Sequence, residues 1–99
     1  MTYRFTPEAR DDLFAAAAYY DSRREGLGAE FSLDTGFGIA RILDASHRWP
    51  DVGSGCKKYR LDRFPFALIY RLPQPRMVEI VAVFDLRRRP GSWRRNLKP

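Results

Sequence analysis

Ninety-nine residues with 44% hydrophobic and 14% aromatic side chains are enough for one folded domain, and the composition excludes a disordered segment. Eighteen Lys/Arg against twelve Asp/Glu give a formal charge of +6. The excess sits in the second half: residues 1–50 hold six basic and eight acidic side chains, a net of −2, whereas residues 51–99 hold twelve and four, a net of +8. Such a distribution points to nucleic acid or an acidic protein as partner. A single cysteine, Cys56, excludes an internal disulfide and fits a reducing cytoplasm. No basic start followed by an apolar stretch marks a secretory signal, and no run approaches the roughly 18 apolar residues of a membrane span.

In chain order, Tyr3 and Phe5 alternate with polar residues and predict a short first strand. Thr6–Pro7 is a helix start, a hydroxyl cap followed by proline where its missing N–H costs nothing. Glu8, Asp11 and Asp12 place negative charge near the positive helix end. Leu13, Ala17 and Tyr20 continue at helical spacing until Gly26 closes the segment. A second helix is predicted from about Gly28 to Ser46, with Phe31, Ile39, Ile42 and Leu43 inward and Trp49–Pro50 beyond its end. Gly36 and Gly38 each cost this helix about 1 kcal/mol relative to alanine. Together with the run Ala15–Ala18 they predict a closely packed helical hairpin; the bland alternative is a helix broken at Gly36.

After a loop at Asp51–Gly55 the period changes to that of strands. Lys57–Leu61, Phe64–Leu72 and Met77–Leu86 are the predicted strands, joined at Asp62–Arg63 and Pro73–Pro75. Short connections imply an antiparallel meander. The fold class is α+β, ordered β-α-α-β-β-β, with an N-terminal helical hairpin packed on a twisted, mainly antiparallel sheet. Residues 1–99 read as a single domain, with 90–99 as a C-terminal tail that is loose over 94–99.

Arg87–Arg88–Arg89 directly follows the most apolar strand, so the sheet is expected to gather the cations of the second half on one electropositive surface. Alternation puts Asp85 and Arg87 on one face with Arg88 opposite, and lets Lys58 and Arg60 share a face. Asp85 among arginines stays ionised and orients Arg87 or another arginine rather than shuttling protons. His47 reads as a surface or helix-end residue, Trp93 as an anchor folded back on the sheet, and Phe64–Pro65–Phe66 as core and turn rather than a base-stacking platform. One His and one Cys make no metal-ligand cluster, and Gly53–Gly55 lacks the Lys and Ser/Thr of a phosphate loop; no metal or cofactor is implied.

Several of these segments coincide with one family. Arg63–Phe64–Pro65–Phe66–Ala67–Leu68–Ile69–Tyr70 resembles the paired-strand motif of the RelE/ParE toxin superfamily, and Val81 through Trp93 resembles its closing arginine-rich motif. Ala9, Asp12–Leu13, Ala16, Tyr19–Tyr20, Gly26–Leu27–Gly28, Phe31 and Trp49–Pro50 match the remainder in order. The resemblance implies a cytoplasmic toxin of a type II toxin–antitoxin module, with the same fold, a growth-inhibiting and plasmid-stabilising role, and a cognate antitoxin as partner. RelE-like members cut mRNA on the ribosome; ParE-like members poison DNA gyrase. Asp85 stands where many members carry histidine, and Ser92 where a tyrosine precedes the terminal tryptophan, so the ParE-like reading comes first. Under the alternative, a metal-independent endoribonuclease, Lys58, Arg60 and Arg87 in one groove are the catalytic candidates. Arg63, Arg71, Asp85 and Arg88 are candidates for binding the target. A degenerate, non-toxic basic binding module is the third reading.

Overall fold

A computed structural model describes residues 1–97. Its order is β1 (Thr2–Phe5), α1 (Pro7–Arg23), α2 (Leu27–Asp44), β2 (Asp51–Gly53), β3 (Cys56–Arg60), β4 (Phe66–Gln74), β5 (Met77–Asp85) and a C-terminal 3-10 helix (Ser92–Asn96). The five strands form one sheet in the order β1-β5-β4-β3-β2. Three of the four pairings are antiparallel, and β1 joins β5 in parallel, Thr2 opposite Met77 and Phe5 opposite Ile80.

The predicted α+β hairpin-on-sheet arrangement is present, with one strand more than expected. β2 occupies part of the predicted loop at Asp51–Gly55. Its reversal into β3 uses positive φ at Gly53, Ser54 and Gly55 (89°, 56° and 75°). Three residues are too few to reveal an alternation. β4 starts two residues late, because Pro65 has no N–H for the ladder; its carbonyl instead accepts from Leu86 N at 2.9 Å. The expected turn at Pro73–Pro75 moves to Pro75–Arg76, with Gln74 already paired to Met77. Pro73 is tolerated inside β4 where the register shifts between Arg71 and Gln74.

α1 begins as its sequence predicts. Thr6 Oγ1 accepts from Ala9 N at 3.1 Å and Pro7 takes the first helical position. Asp21 then ties the hairpin, its Oδ1 accepting from Gly26 N (3.0 Å) and Gly28 N (3.3 Å). The close approach falls at Gly28, not at the expected glycines: a Cβ there would lie 2.5 Å from the Ala17 carbonyl oxygen. Gly38 faces the sheet, where a Cβ would crowd Tyr59, Leu61 and Leu68 at 3.0–3.2 Å, and Gly36 faces open space. α2 nonetheless runs unbroken from Leu27 to Asp44.

The main core lies between hairpin and sheet. Tyr20, Phe31, Phe64 and Phe66 pack with ring centroids 4.8–6.0 Å apart, above Leu68, Tyr70, Val78 and Ile80. The buried Tyr70 hydroxyl donates to the Ser46 carbonyl at 2.7 Å, and burial raises its pKa to about 12. A second cluster (Cys56, Ala67, Ile69, Val81, Ala82) lies on the other face beneath Trp93. Trp93 is therefore the anchor its position predicted. The loose end expected over 94–99 is instead docked as far as the structure describes it, since Arg94 donates to the Val52 carbonyl (2.6 Å) and Ser54 Oγ (3.1 Å). Residues 98 and 99 of that segment lie outside the described residues.

Candidate functional site

The apolar strand β5 ends at Asp85, and the chain turns at once, Arg88 N donating to the Asp85 carbonyl at 3.0 Å. The Asp85 carboxylate accepts from Arg87 three times: backbone N at 2.9 Å, Nε at 2.9 Å and Nη2 at 3.0 Å. These bonds hold the Asp85 carboxyl below its ordinary range against the effect of its partial burial, and raise Arg87 in turn. Asp85 is thus an ionised residue that aims a guanidinium, as its arginine-rich setting predicts.

This pair borders a cleft of about 410 Å³ between α1, the end of β5 and the C-terminal 3-10 helix. Ala15, Ala16 and Ala82 line it, and their small side chains leave the space open. Arg87, Arg88, Arg95 and Ser92 also line it, as do Tyr19, Asp12 and Asn96. Asp12 is half buried. Its Oδ2 accepts from Val83 N at 3.1 Å and Asn96 Nδ2 at 2.9 Å. Burial raises its pKa, partly offset by those two bonds and by Arg95 and Arg88 nearby.

A smaller hollow of about 290 Å³ lies on the opposite face of the sheet, lined by Lys58, Arg88, Trp93 and Arg94 among others. Cross-strand register fixes the faces. Lys58 opposes Ile69 and Arg60 opposes Ala67, both in the Trp93 cluster, whereas Asp85 opposes Phe66 of the main core. Lys58 and Arg60 do share a face, but Arg87 folds back onto Asp85 across the sheet. The expected groove containing all three is not formed; of the predicted cations only Arg88 borders both hollows.

Several of the cations expected on one electropositive surface are taken up in local ion pairs. Arg63 Nη2 pairs with Glu30 Oε1 at 2.8 Å beside α2, and Arg71 Nε with Glu79 Oε1 at 2.6 Å. Arg4 takes the other oxygen of Glu79 at 2.9 Å, and Lys57 pairs with Asp51 at 2.9 Å. Glu30, Glu79 and Asp51 take up these cations where the fold brings them together, Glu79 serving two at once. Among the described residues, Lys58, Arg60, Arg88, Arg89 and Arg95 make no ion pair, and Arg88 and Arg95 are the two that line the larger cleft.

His47 is exposed, and burial raises the Cys56 thiol, so neither offers a reactive group at the clefts. Phe64 and Phe66 are core residues, as the core-and-turn reading of Phe64–Pro65–Phe66 has it, and Tyr59 and Tyr70 join them in the core. Sequence reasoning missed Asp12, Ser92, Arg95 and Asn96 as cleft residues. Asp12 looks like one more acidic residue of a first turn, and Asn96 meets it across 84 positions.

No family model matches the sequence, and no curated protein matches it. Among solved structures, a chain described as "Chromosomal ParDE TA system from P. aeruginosa" superposes with a TM-score of 0.75 at 18% identity, covering 87% of this chain and 96% of that one. With 87% of this chain and 96% of that one aligned, the protein shares the α+β hairpin-on-sheet fold of that chain.

Proposed function

We propose that this protein is the toxin of a type II toxin–antitoxin module, of the ParE-like kind. It arrests bacterial growth by binding a target resembling DNA gyrase in the cytoplasm, and a cognate antitoxin neutralises it. The observation that carries this reading is the fold shared with a chain of a ParDE system over 87% of the sequence. The site chemistry agrees with a binding inhibitor. Cleaving RNA without a metal needs a proton acceptor beside clustered cations. Here Asp85 is held ionised by Arg87, while Lys58 and Arg60 lie across the sheet from it. Arg88 and Arg95, which line the larger cleft and make no ion pair among the described residues, are the side chains proposed to meet an acidic surface of the target. Arg63 and Arg71, already held by Glu30 and Glu79, contribute less.

The test is induced expression in bacteria followed by a supercoiling assay with purified gyrase. Growth arrest with inhibited supercoiling is expected, relieved by co-expressing the neighbouring reading frame. Arrest with normal supercoiling and mRNA cut at ribosomal A sites would replace this reading with the endonuclease one. Unimpaired growth would leave a non-toxic binding module.

A further inference from the structure

The two sides of the molecule carry opposite charge. Residues 7–44, which form the helical hairpin, hold four arginines and eight carboxylates, a net of −4. Three of the other four carboxylates also belong to the side of the main core. Asp51 opposes Lys57 in the row of Tyr70, Asp85 opposes Phe66, and Asp62 acts electrostatically on Tyr59. Only Glu79 is left on the far face of the sheet. Six cations share that face with it, a net of +5: Lys58 and Arg60 on β3, Arg71 and Arg4 opposite Glu79, and Arg88 and Arg94 at the smaller hollow. Glu79 takes both Arg4 and Arg71, so that group keeps one positive charge. Lys58, Arg60, Arg88 and Arg94 make no ion pair among the described residues. Three of these four line the hollow of about 290 Å³, and no carboxylate lines it. Arg94 is set there with its charge intact. Its guanidinium lies 4.5 Å from the Trp93 ring and donates to neutral oxygens, the Val52 carbonyl and Ser54 Oγ. A Cβ at Gly53 or Gly91 would come within 2.8 or 2.6 Å of its terminal nitrogens, so two bare glycines make its room.

We infer that this face binds duplex DNA through its phosphates, the hollow seating one phosphate while Arg60 and the Arg4–Glu79–Arg71 group flank it. Like charges held on a rigid sheet repel one another, and a polyanion removes that repulsion at every position at once. The face is long enough for several phosphates. From Arg71 to Ala67, which opposes Arg60, is about 13 Å along β4. A duplex carries about eight negative charges over that length of axis, enough to meet every cation on the face. A single strand is held by bases stacked on exposed aromatic rings. This face has none. Trp93 is 5% exposed, and the exposed aromatics stand elsewhere: Phe14, Tyr19 and Phe37 on the hairpin, and Tyr3 opposite Val78 of the main core. Backbone contact without base stacking suits a duplex, whose bases are paired inside. The acidic hairpin then turns away from the DNA, which fixes the orientation of approach. Naming DNA rather than RNA rests on the toxin reading, whose proposed target acts on DNA; the charge argument stands without it.

Fluorescence anisotropy of the full chain with a labelled mixed-sequence duplex of about 20 base pairs tests this without gyrase. Binding should be micromolar at about 50 mM salt, with log K falling against log salt at a slope of about −4. Lys58→Ala and Arg60→Ala should each weaken it several-fold and take about 1 off the slope. Arg41→Ala makes the same charge change on the hairpin and should do neither. Unchanged melting of each variant shows that folding is intact. Equal losses for Arg41→Ala and Arg60→Ala would reduce the binding to net charge and overturn the proposal. Equal or tighter binding to the single DNA strand or to polyglutamate overturns it, as does tighter binding to RNA of the same sequence in either form. No duplex binding at about 50 mM salt overturns it as well, and leaves the supercoiling test of the toxin reading standing.

Discussion

Asn96 Nδ2 lies 2.9 Å from Asp12 Oδ2 and 3.0 Å from the Val81 carbonyl, so one amide joins the C-terminal 3-10 helix to both α1 and β5. The same Asp12 oxygen accepts from Val83 N, which makes it the point where three elements meet beside the larger cleft. Asp12→Ala leaves two donors without their acceptor and is expected to cost about 1–3 kcal/mol. In a domain of this size that lowers Tm by about 4–8 °C per kcal/mol. Asp12→Asn keeps one oxygen for Val83 N and removes a carboxylate that burial penalises, so it should cost less. Thermal unfolding of both variants at neutral pH checks the order.

Glu79 is 7% exposed and receives Arg71 and Arg4 on its two oxygens. Burial acts to raise its pKa, but the two guanidiniums outweigh it and the net shift is downward. A carboxyl lowered on folding stabilises the native state above its unfolded value, near 4.5, and that contribution is lost as pH falls through the lower folded value. Urea titrations of the wild type should lose stability as pH falls below about 4.5, and Glu79→Gln should flatten that part of the profile. Parallel profiles for the two proteins would contradict the assignment.

The glycines of α2 separate by what surrounds them. Gly28→Ala places a methyl 2.5 Å from the Ala17 carbonyl oxygen, which forces the hairpin apart and should destabilise by about 1–3 kcal/mol. Gly36→Ala meets no atom within 4 Å and should stabilise the dilute chain by about 0.5–1 kcal/mol. Chemical denaturation of the two variants, compared at the same low concentration, reads the opposite signs directly.

Arg88 is the predicted site residue that borders both hollows. If the cleft meets an acidic target, Arg88→Glu should weaken growth arrest at least about tenfold in inducer response without changing Tm by more than a few degrees. Arg63→Ala, which removes a cation already held by Glu30, should leave toxicity close to that of the wild type. Equal loss of toxicity in both would place the target surface elsewhere.

Local chemistry made much of this fold legible. Thr6–Pro7 announces α1 because a hydroxyl cap and an N1 proline need only their neighbours. Asp85 could be read as an ion-paired residue because its arginine lies two positions away. What stayed hidden depends on register or on distance along the chain. β2 is three residues long and carries no periodicity, and a shift in the β4–β5 ladder places Val81 and Ala82 together in the second cluster. The glycine pattern signalled close approach correctly but not at which residue, because Gly28 meets Ala17 only once the hairpin is closed. The loss of Arg63 and Arg71 from the expected positive surface stayed hidden for a similar reason: Glu30 and Glu79 reach these arginines through tertiary structure that composition does not encode.

The pairing of β1 with β5 has a consequence for how the chain is made. The four residues of β1 must wait for a strand 75 positions later before they have a hydrogen-bonding partner. Closing so long a loop is entropically slow, so completion of the sheet becomes a late event in folding. Until then β5, rich in valine and isoleucine, has one bare edge open to any passing extended chain.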